Sequence, residues 1–208
     1  MSRGRFITLE GGEGAGKTSA VNCIVDWLSD RGREVVRTRE PGGTAAAERI
    51  RAVLLDPATG DIEPITEALL MFAARTENLA RVIRPALAAG KDVLCDRFTD
   101  ASRAYQGGGR ELGMNQVNAL AKLVHPDLEP DLTLVLDVPV EIGMARVAGR
   151  GHGPDRFEQT RSDFLERVRS TYLDLARSEP NRFAVIDASQ DIDEVHRQIT
   201  RILEERLA

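Results

Sequence analysis

Gly11 to Thr18 reads GGEGAGKT and fits the pattern GxxxxGK[S/T], with Gly11, Gly16, Lys17 and Thr18 at its fixed positions. Gly11, Gly12, Gly14 and Gly16, spaced by Glu13 and Ala15, let the backbone curl with its N–H groups pointing inward. A helix starting at the end of such a loop adds its positive N-terminal end, so a polyphosphate is held with little side-chain help. Lys17 is then placed to reach the outer phosphates, and the Thr18 hydroxyl to take Mg²⁺. The flanks fit this use. Phe6, Ile7, Thr8 and Leu9 form a short apolar run expected to be a buried strand, and Val21, Ile24, Val25 and Leu28 repeat with helical spacing.

A second group of charges belongs to the same chemistry. Arg39, Arg97, Arg110, Arg150 and Arg156 all fall in or beside the loops that follow strand-like segments, in a chain whose net charge is −5. Arginines gathered at one rim suit a second anion beside the triphosphate, because a guanidinium fork matches phosphate oxygens in a bidentate way. No nucleophile and base set is evident, and His125, His152 and His196 are isolated and expected to be structural or exposed. An acceptor that is itself a phosphate needs no strong base, since a phosphomonoester has a second pKa of about 6. The residues by themselves therefore point to nucleotide-dependent phosphoryl transfer onto an anionic acceptor. A GTPase would carry NKxD and DxxG, and neither string occurs. A regulatory P-loop ATPase is the alternative from another class.

These residues must be positioned by alternating strands and helices. Strands are expected at Phe6–Leu9, Glu34–Thr38, Asp92–Cys95, Leu132–Val138 and Phe183–Asp187. Helical spacing covers Ala45–Leu55, a stretch from about Pro64 to Ala89 that Pro85 must bend or divide, Asn115–Val124, Glu141–Val147, Thr160–Ala176 and Ile192–Leu207. Thr99 to Arg110, with its three consecutive glycines, reads as a strand-end loop. The pattern predicts an α/β chain with a mostly parallel central sheet and helices on both faces, whose ligands lie beyond the carboxyl ends of the strands. Asp96 and Arg97 stand at one such end, and Asp137 at another, either as the acidic end of a Walker B strand or as a cap for the turn before Pro139.

No Pro, Gly and Ser-rich linker divides the 208 residues, so one domain is expected. The acidic balance argues against a general nucleic-acid or membrane binder. Cys23 and Cys95 are far apart and lack metal-ligand spacing, which fits two reduced thiols packed as small apolar groups. Neither a signal-peptide core after Arg3 and Arg5 nor a run of 18 apolar residues occurs, so a cytoplasmic protein is expected.

Several strings taken together resemble the thymidylate kinase family of the bacterial type, over essentially the whole chain. They are FITLEGGEGAGKT, TREPGGT at Thr38–Thr44, LLMFAAR at Leu69–Arg75, DRF at Asp96–Phe98, AYQGGGR at Ala104–Arg110, DLTLVLDV at Asp131–Val138 and DRFE at Asp155–Glu158. The resemblance implies a P-loop NTPase fold of the nucleoside monophosphate kinase kind and transfer of the ATP γ-phosphate to dTMP, giving dTDP and ADP on the route to DNA precursors. By similarity Arg39 and Arg97 hold the acceptor phosphate, and Glu13 approaches the sugar 3′-hydroxyl. Phe72 stacks on thymine, Arg75 and Gln106 bond its edge with Ser102 beside them, and Tyr105 lies under the deoxyribose and crowds a 2′-hydroxyl. Asp96 helps organise Mg²⁺ or the phosphates. The phosphate loop carries Glu13 and no arginine, so the family pattern assigns the catalytic arginine to a lid segment near 149–156, Arg156 first and Arg150 second. The family is usually a homodimer built from helix faces, for which Glu67 to Ala80 is the candidate surface.

Overall fold

The structure is a computed structural model, and it describes residues 3–149 and 162–207. Five parallel strands, β1 (Phe6–Gly11), β2 (Val35–Arg39), β3 (Asp92–Asp96), β4 (Leu132–Asp137) and β5 (Phe183–Asp187), form one sheet in the order β2-β3-β1-β4-β5. Among the described residues the helices are α1 (Lys17–Ser29), α2 (Ala45–Leu55), α3 (Pro64–Asn78), α4 (Arg84–Ala88), α5 (Thr99–Ser102), α6 (Met114–Val124), α7 (Val140–Ala148), α8 (Ser162–Ser178) and α9 (Ile192–Leu207). The central strands β1 and β4 are buried almost throughout because helices cover both faces, as a parallel sheet requires. Successive side chains alternate between those faces. Ile7 and Leu9 join Ile24 and Leu28 of α1 and Ile199 and Leu203 of α9 in one core cluster. Phe6 packs on the other side with Leu79, Ile83 and Val93, and Val135 with Phe164, Val168 and Tyr172.

The same alternation puts Thr8 and Glu10 on the Phe6 face, fully buried. The Thr8 and Thr133 hydroxyls bond each other at 2.8 Å, and Arg182 bridges Thr133 to the buried Asp100 carboxylate at 3.0 and 2.6 Å. Buried polar groups on this face are thus paired across β1, β4, α5 and the residue before β5. His125, expected to be structural, is so. Its Nδ1 donates to the Leu128 carbonyl at 3.0 Å, its Nε2 accepts from the Thr99 hydroxyl at 2.7 Å, and burial pushes it down to about 4, leaving it neutral. The two thiols are free, and burial raises Cys95 well above its usual range, which makes it inert. Among the described residues no helix is long and apolar enough to cross a membrane.

Two stretches differ from the sequence expectation. The long helix is divided before Pro85 rather than at it, by a π-helical turn over Leu79–Ile83. Widening the ladder there makes room for a ring that would otherwise meet the carbonyl four residues back. Thr99 to Arg110 is no loop either, because α5 continues as a π-helix over Arg103–Gly109. Its glycines serve close packing. A Cβ on Gly108 would lie 2.1 Å from Thr171 Oγ1 of α8, and one on Gly109 would lie 2.6 Å from the Phe164 ring. Local reading took the Gly triplet for a turn, whereas the neighbour that demands glycine is a helix about sixty residues further along the chain.

Candidate active site

β1 ends at Gly11, and α1 starts at Lys17 after Gly16, whose φ of 87° is left-handed. The loop between them is seated against α7. A Cβ on Gly14 would stand 2.0 Å from the Gly143 carbonyl oxygen, and one on Gly143 would stand 2.4 Å from the Glu13 carbonyl, so backbone meets backbone only because both residues are glycine. The Lys17 ammonium donates to the carbonyls of Gly11 and Gly12, each at 3.1 Å, which holds it along the loop. Burial, and next the like charge of Arg97, push Lys17 below its ordinary value. An anion arriving at the loop relieves both effects.

A cleft opens from this loop toward β3. Glu13 to Thr18 line it with Glu40, Arg51, Arg75, Asp96, Arg97, Ser102, Tyr105 and Gln106. β3 delivers Asp96 at its end, and Arg97 follows with a φ of 69°, a conformation that costs a non-glycine residue about 1–3 kcal/mol. The turn is held by its neighbours, since the Arg97 N–H donates to the Leu9 carbonyl at 2.9 Å and the Phe98 N–H to Glu10 Oε1 at 2.7 Å. The Arg97 Nη2 donates to Glu13 Oε1 at 2.9 Å, and the guanidinium carbon lies 4.6 Å from the centroid of the Tyr105 ring, whose hydroxyl donates to the same Glu13 oxygen at 2.8 Å. Glu13, Arg97 and Tyr105 thus lock one another, and Arg97 keeps Nη1 over.

The far end of the cleft is built around Arg75. Its Nε donates to Glu40 Oε2 at 2.6 Å, and its Nη2 donates to the Phe98 carbonyl at 3.0 Å and the Ser102 hydroxyl at 3.1 Å. Both partners of the ion pair are buried. Burial pushes the Glu40 carboxyl upward, and Arg75 against it works the other way. Gln106 donates to the fully buried Glu67 at 2.9 Å, which fixes its amide. Phe72 is set apart from the others. It is 2 % exposed, clusters with Val117 and Ala121, and its ring lies 4.4 Å from the Arg75 guanidinium, which it backs.

Of the five arginines expected at one rim, Arg39, Arg97 and Arg110 are among the described residues. Arg97 faces the cleft, but Arg39 turns outward to Glu48 at 3.0 Å, and Arg110 turns to Glu67 at 3.3 Å and to the Phe164 ring. Both guanidiniums are drawn off by carboxylates that the local sequence does not flag. Arg150 and Arg156 lie outside the described residues. Arg51, which sequence reasoning did not single out, lines the cleft from α2 and donates to the Pro41 carbonyl at 2.9 Å. A helical signal for it exists, since Arg51 follows the buried Ala47 by one turn and precedes Leu55, another cleft residue, by one more. The Asp137 carboxylate is held by Arg169 of α8 through two bonds of 2.6 and 3.0 Å.

Among the described residues, four buried side-chain polar atoms lack a hydrogen-bond partner: Trp27 Nε1, Arg75 Nη1, Asp96 Oδ1 and Arg97 Nη1. Three of those residues line this one cleft. Unpaired buried polar atoms are expensive, so their convergence marks where a polar ligand supplies the missing partners. Arg97 Nη1 with Lys17 suits phosphate oxygens, and Arg75 Nη1, at the far end of the cleft, suits another polar group of the same ligand. The Asp96 oxygen and the Thr18 hydroxyl suit a Mg²⁺ ion, which takes one or two protein oxygens and completes its shell with phosphate and water.

The arrangement has clear counterparts. A family model described as thymidylate kinase matches residues 9–199. A thymidylate kinase of Chromohalobacter salexigens is 56 % identical over 100 % of this chain and 99 % of its own length. That of Alkalilimnicola ehrlichii is 55 % identical over 100 % and 94 %, and that of Pseudomonas syringae pv. tomato is 53 % identical over 98 % and 97 %. With a P-loop on a five-stranded parallel sheet and a cleft holding three unpartnered buried polar atoms beside it, the chain belongs to the thymidylate kinase family.

Proposed function

We propose that this chain transfers the γ-phosphoryl group of ATP to dTMP, giving dTDP and ADP. The observation that carries the reading is the convergence of the unpaired Arg97, Arg75 and Asp96 atoms in one cleft with Lys17. The loop backbone and Lys17 hold the β- and γ-phosphates, and Arg97 with Arg51 holds the acceptor phosphate. An oxygen of that dianion attacks the γ-phosphorus as the bond to the ADP oxygen breaks. No base is needed, because the attacking oxygen carries no proton near neutral pH. Mg²⁺ held near Thr18 and Asp96 would neutralise developing charge on the phosphates. Positioning and charge neutralisation by Lys17, Arg97 and Arg51 do the remainder.

Arg75 Nη1 and Ser102 address the thymine edge, Gln106 flanks it, and Phe72 backs the guanidinium. Tyr105, fixed by Glu13 and Arg97, takes the sugar and leaves no space for a 2′-hydroxyl. A second groove shares Gly14 and Gly16 with the cleft and runs past Arg146, Gln190 and His196, which suits the donor nucleoside. The test is an ADP-release assay with Mg-ATP and dTMP, dUMP, UMP, CMP or AMP. Preference for dTMP over UMP supports both the base and the sugar assignments. If AMP or CMP wins, the base assignments fall, and if no acceptor stimulates turnover a regulatory ATPase is favoured.

Arg156 is proposed to approach the transferring phosphoryl from the lid, with Arg150 as second choice. Arg156→Ala is expected to lower kcat by about two to three orders of magnitude with little change in dTMP affinity. Unchanged turnover removes Arg156 from the reaction. A cytoplasmic homodimer is the corresponding assembly. On α3 and the turn after it, Ile65, Leu69, Ala73, Thr76 and Ala80 form an exposed, uncharged stripe at helical spacing, which supports a helix-to-helix contact. Sedimentation at working concentration should give twice the monomer mass, and a monomer refutes the pairing.

A further inference from the structure

Glu10 is fully buried on the strand that feeds the phosphate loop, yet it is neither part of that loop nor among the residues lining the cleft. Both of its oxygens are engaged. Oε1 meets the Phe98 N–H at 2.7 Å and Oε2 meets the Tyr172 hydroxyl at 2.8 Å. Phe98 is the residue directly after the left-handed Arg97, whose own N–H is held by Leu9, so two consecutive residues of β1 pin the peptide groups on both sides of the Arg97 Cα. Tyr172 comes from α8, the helix that follows residues 150–161, and its ring meets Tyr105 edge-on at 6.4 Å. Tyr105 in turn underlies the Arg97 guanidinium and shares Glu13 with it. A closed circuit of Glu10, the Arg97–Phe98 peptide, Tyr105 and Tyr172 therefore surrounds the one arginine of the acceptor site that sits in a strained turn.

We propose that Glu10 is a positioning residue for phosphoryl transfer, clamping the Arg97 turn to α8 so that the guanidinium is aimed at the acceptor phosphate. The inference rests on the kinase reading and adds to it a residue that touches no substrate. It also gives the order of contacts from α8 to the acceptor site: Tyr172, Glu10, the Phe98 N–H and Arg97. Burial, with the nearby Asp100 carboxylate adding to it, raises the Glu10 carboxyl to about 8, so near neutral pH the group is largely a neutral acid. The Phe98 N–H donates to Oε1 and the Tyr172 hydroxyl donates to Oε2; with Oε2 protonated the second bond runs the other way, the acid proton going to the Tyr172 oxygen. Glutamine reproduces this pattern, with its carbonyl toward Phe98 and its amide toward Tyr172.

The experiment compares Glu10→Gln, Glu10→Ala and Tyr172→Phe with the wild type, measuring steady-state kinetics and calorimetric binding of dTMP and of ATP separately. Glu10→Gln should keep kcat within about 3-fold, since the hydrogen bonds survive. Glu10→Ala should lower kcat about 100-fold and weaken dTMP binding about 10-fold while ATP binding holds, a split that loss of folded protein does not produce. Tyr172→Phe, which removes one hydroxyl and opens no large cavity, should move the same quantities in the same direction by about 5-fold, and it decides the matter where the alanine variant does not fold. The proposal is overturned if Tyr172→Phe, or a folded Glu10→Ala, matches the wild type in both kcat and dTMP affinity, or if Glu10→Gln is as damaged as Glu10→Ala. A wild type that phosphorylates no nucleoside monophosphate overturns the kinase reading instead.

Discussion

Arg97→Ala should lower kcat with dTMP by about three orders of magnitude while the melting temperature moves by only a few degrees. The size follows from what the residue does. Its Nη1 has no partner among the described residues although it is buried, so the guanidinium is a cation held ready for an anion and not one already spent on structure. Charge that develops on phosphate oxygens in the transition state is where a preorganised donor counts most, because the donor is already fixed and mostly buried before the charge appears. Removal leaves Glu13 bonded to the Tyr105 hydroxyl, so no carboxylate is stranded and the fold loses little. Arg97→Lys should recover only part of the loss, about one order of magnitude, since a compact ammonium cannot bond Glu13, lie on the Tyr105 ring and reach a phosphate together. The measurement is kcat alongside thermal melting, and an alanine variant that turns over within about 3-fold of the wild type would exclude Arg97 from the transition state.

Arg75→Met has the opposite character, damaging fold and substrate binding together. Its loss strands the Glu40 carboxylate in the interior, and breaking such a buried pair costs about 3–5 kcal/mol. In a chain of this size that lowers the melting temperature by roughly 10 °C. The base edge also loses a cationic donor, so dTMP affinity should fall roughly 10- to 100-fold. The two effects separate in the double variant Glu40→Gln/Arg75→Met. With the stranded charge removed, the melting temperature should return most of the way, whereas dTMP binding should remain weak. Thermal melting and dTMP calorimetry on the three variants read both quantities. Recovery of dTMP affinity in the double variant would mean that Arg75 acts only as a counter-ion for Glu40.

The contrast between these arginines also marks where reading along the chain stops working. The phosphate loop, its strand and its helix were legible because their signals lie within about twenty residues: an apolar run, glycines that permit left-handed backbone, and a Lys–Thr pair at the helix start. The alternation of strand and helix likewise implied a parallel sheet with its ligands at the carboxyl ends. The resemblance to a family added roles for Arg75, Ser102, Tyr105 and Gln106, and the fold brings these residues to one cleft. Which guanidiniums face that cleft was not legible, because it depends on which carboxylate the fold brings nearest in space. Glu48 takes Arg39, Glu67 takes Arg110, and Arg169 takes Asp137, and in each case the nearest opposite charge in space decides direction. The Gly triplet misled for a related reason, since the crowding that requires glycine comes from α8 and not from a turn of the chain. Arg51 and Glu10 were passed over because an arginine in a helix and a glutamate in a strand look ordinary until their surroundings are assembled. The chain alone determined the phosphate loop, the strand-helix alternation and the kind of chemistry, since backbone sterics and hydrophobic period act locally. Tertiary structure alone decided which charges are paired and which are left for a ligand, since pairing acts through space across burial that no single segment defines.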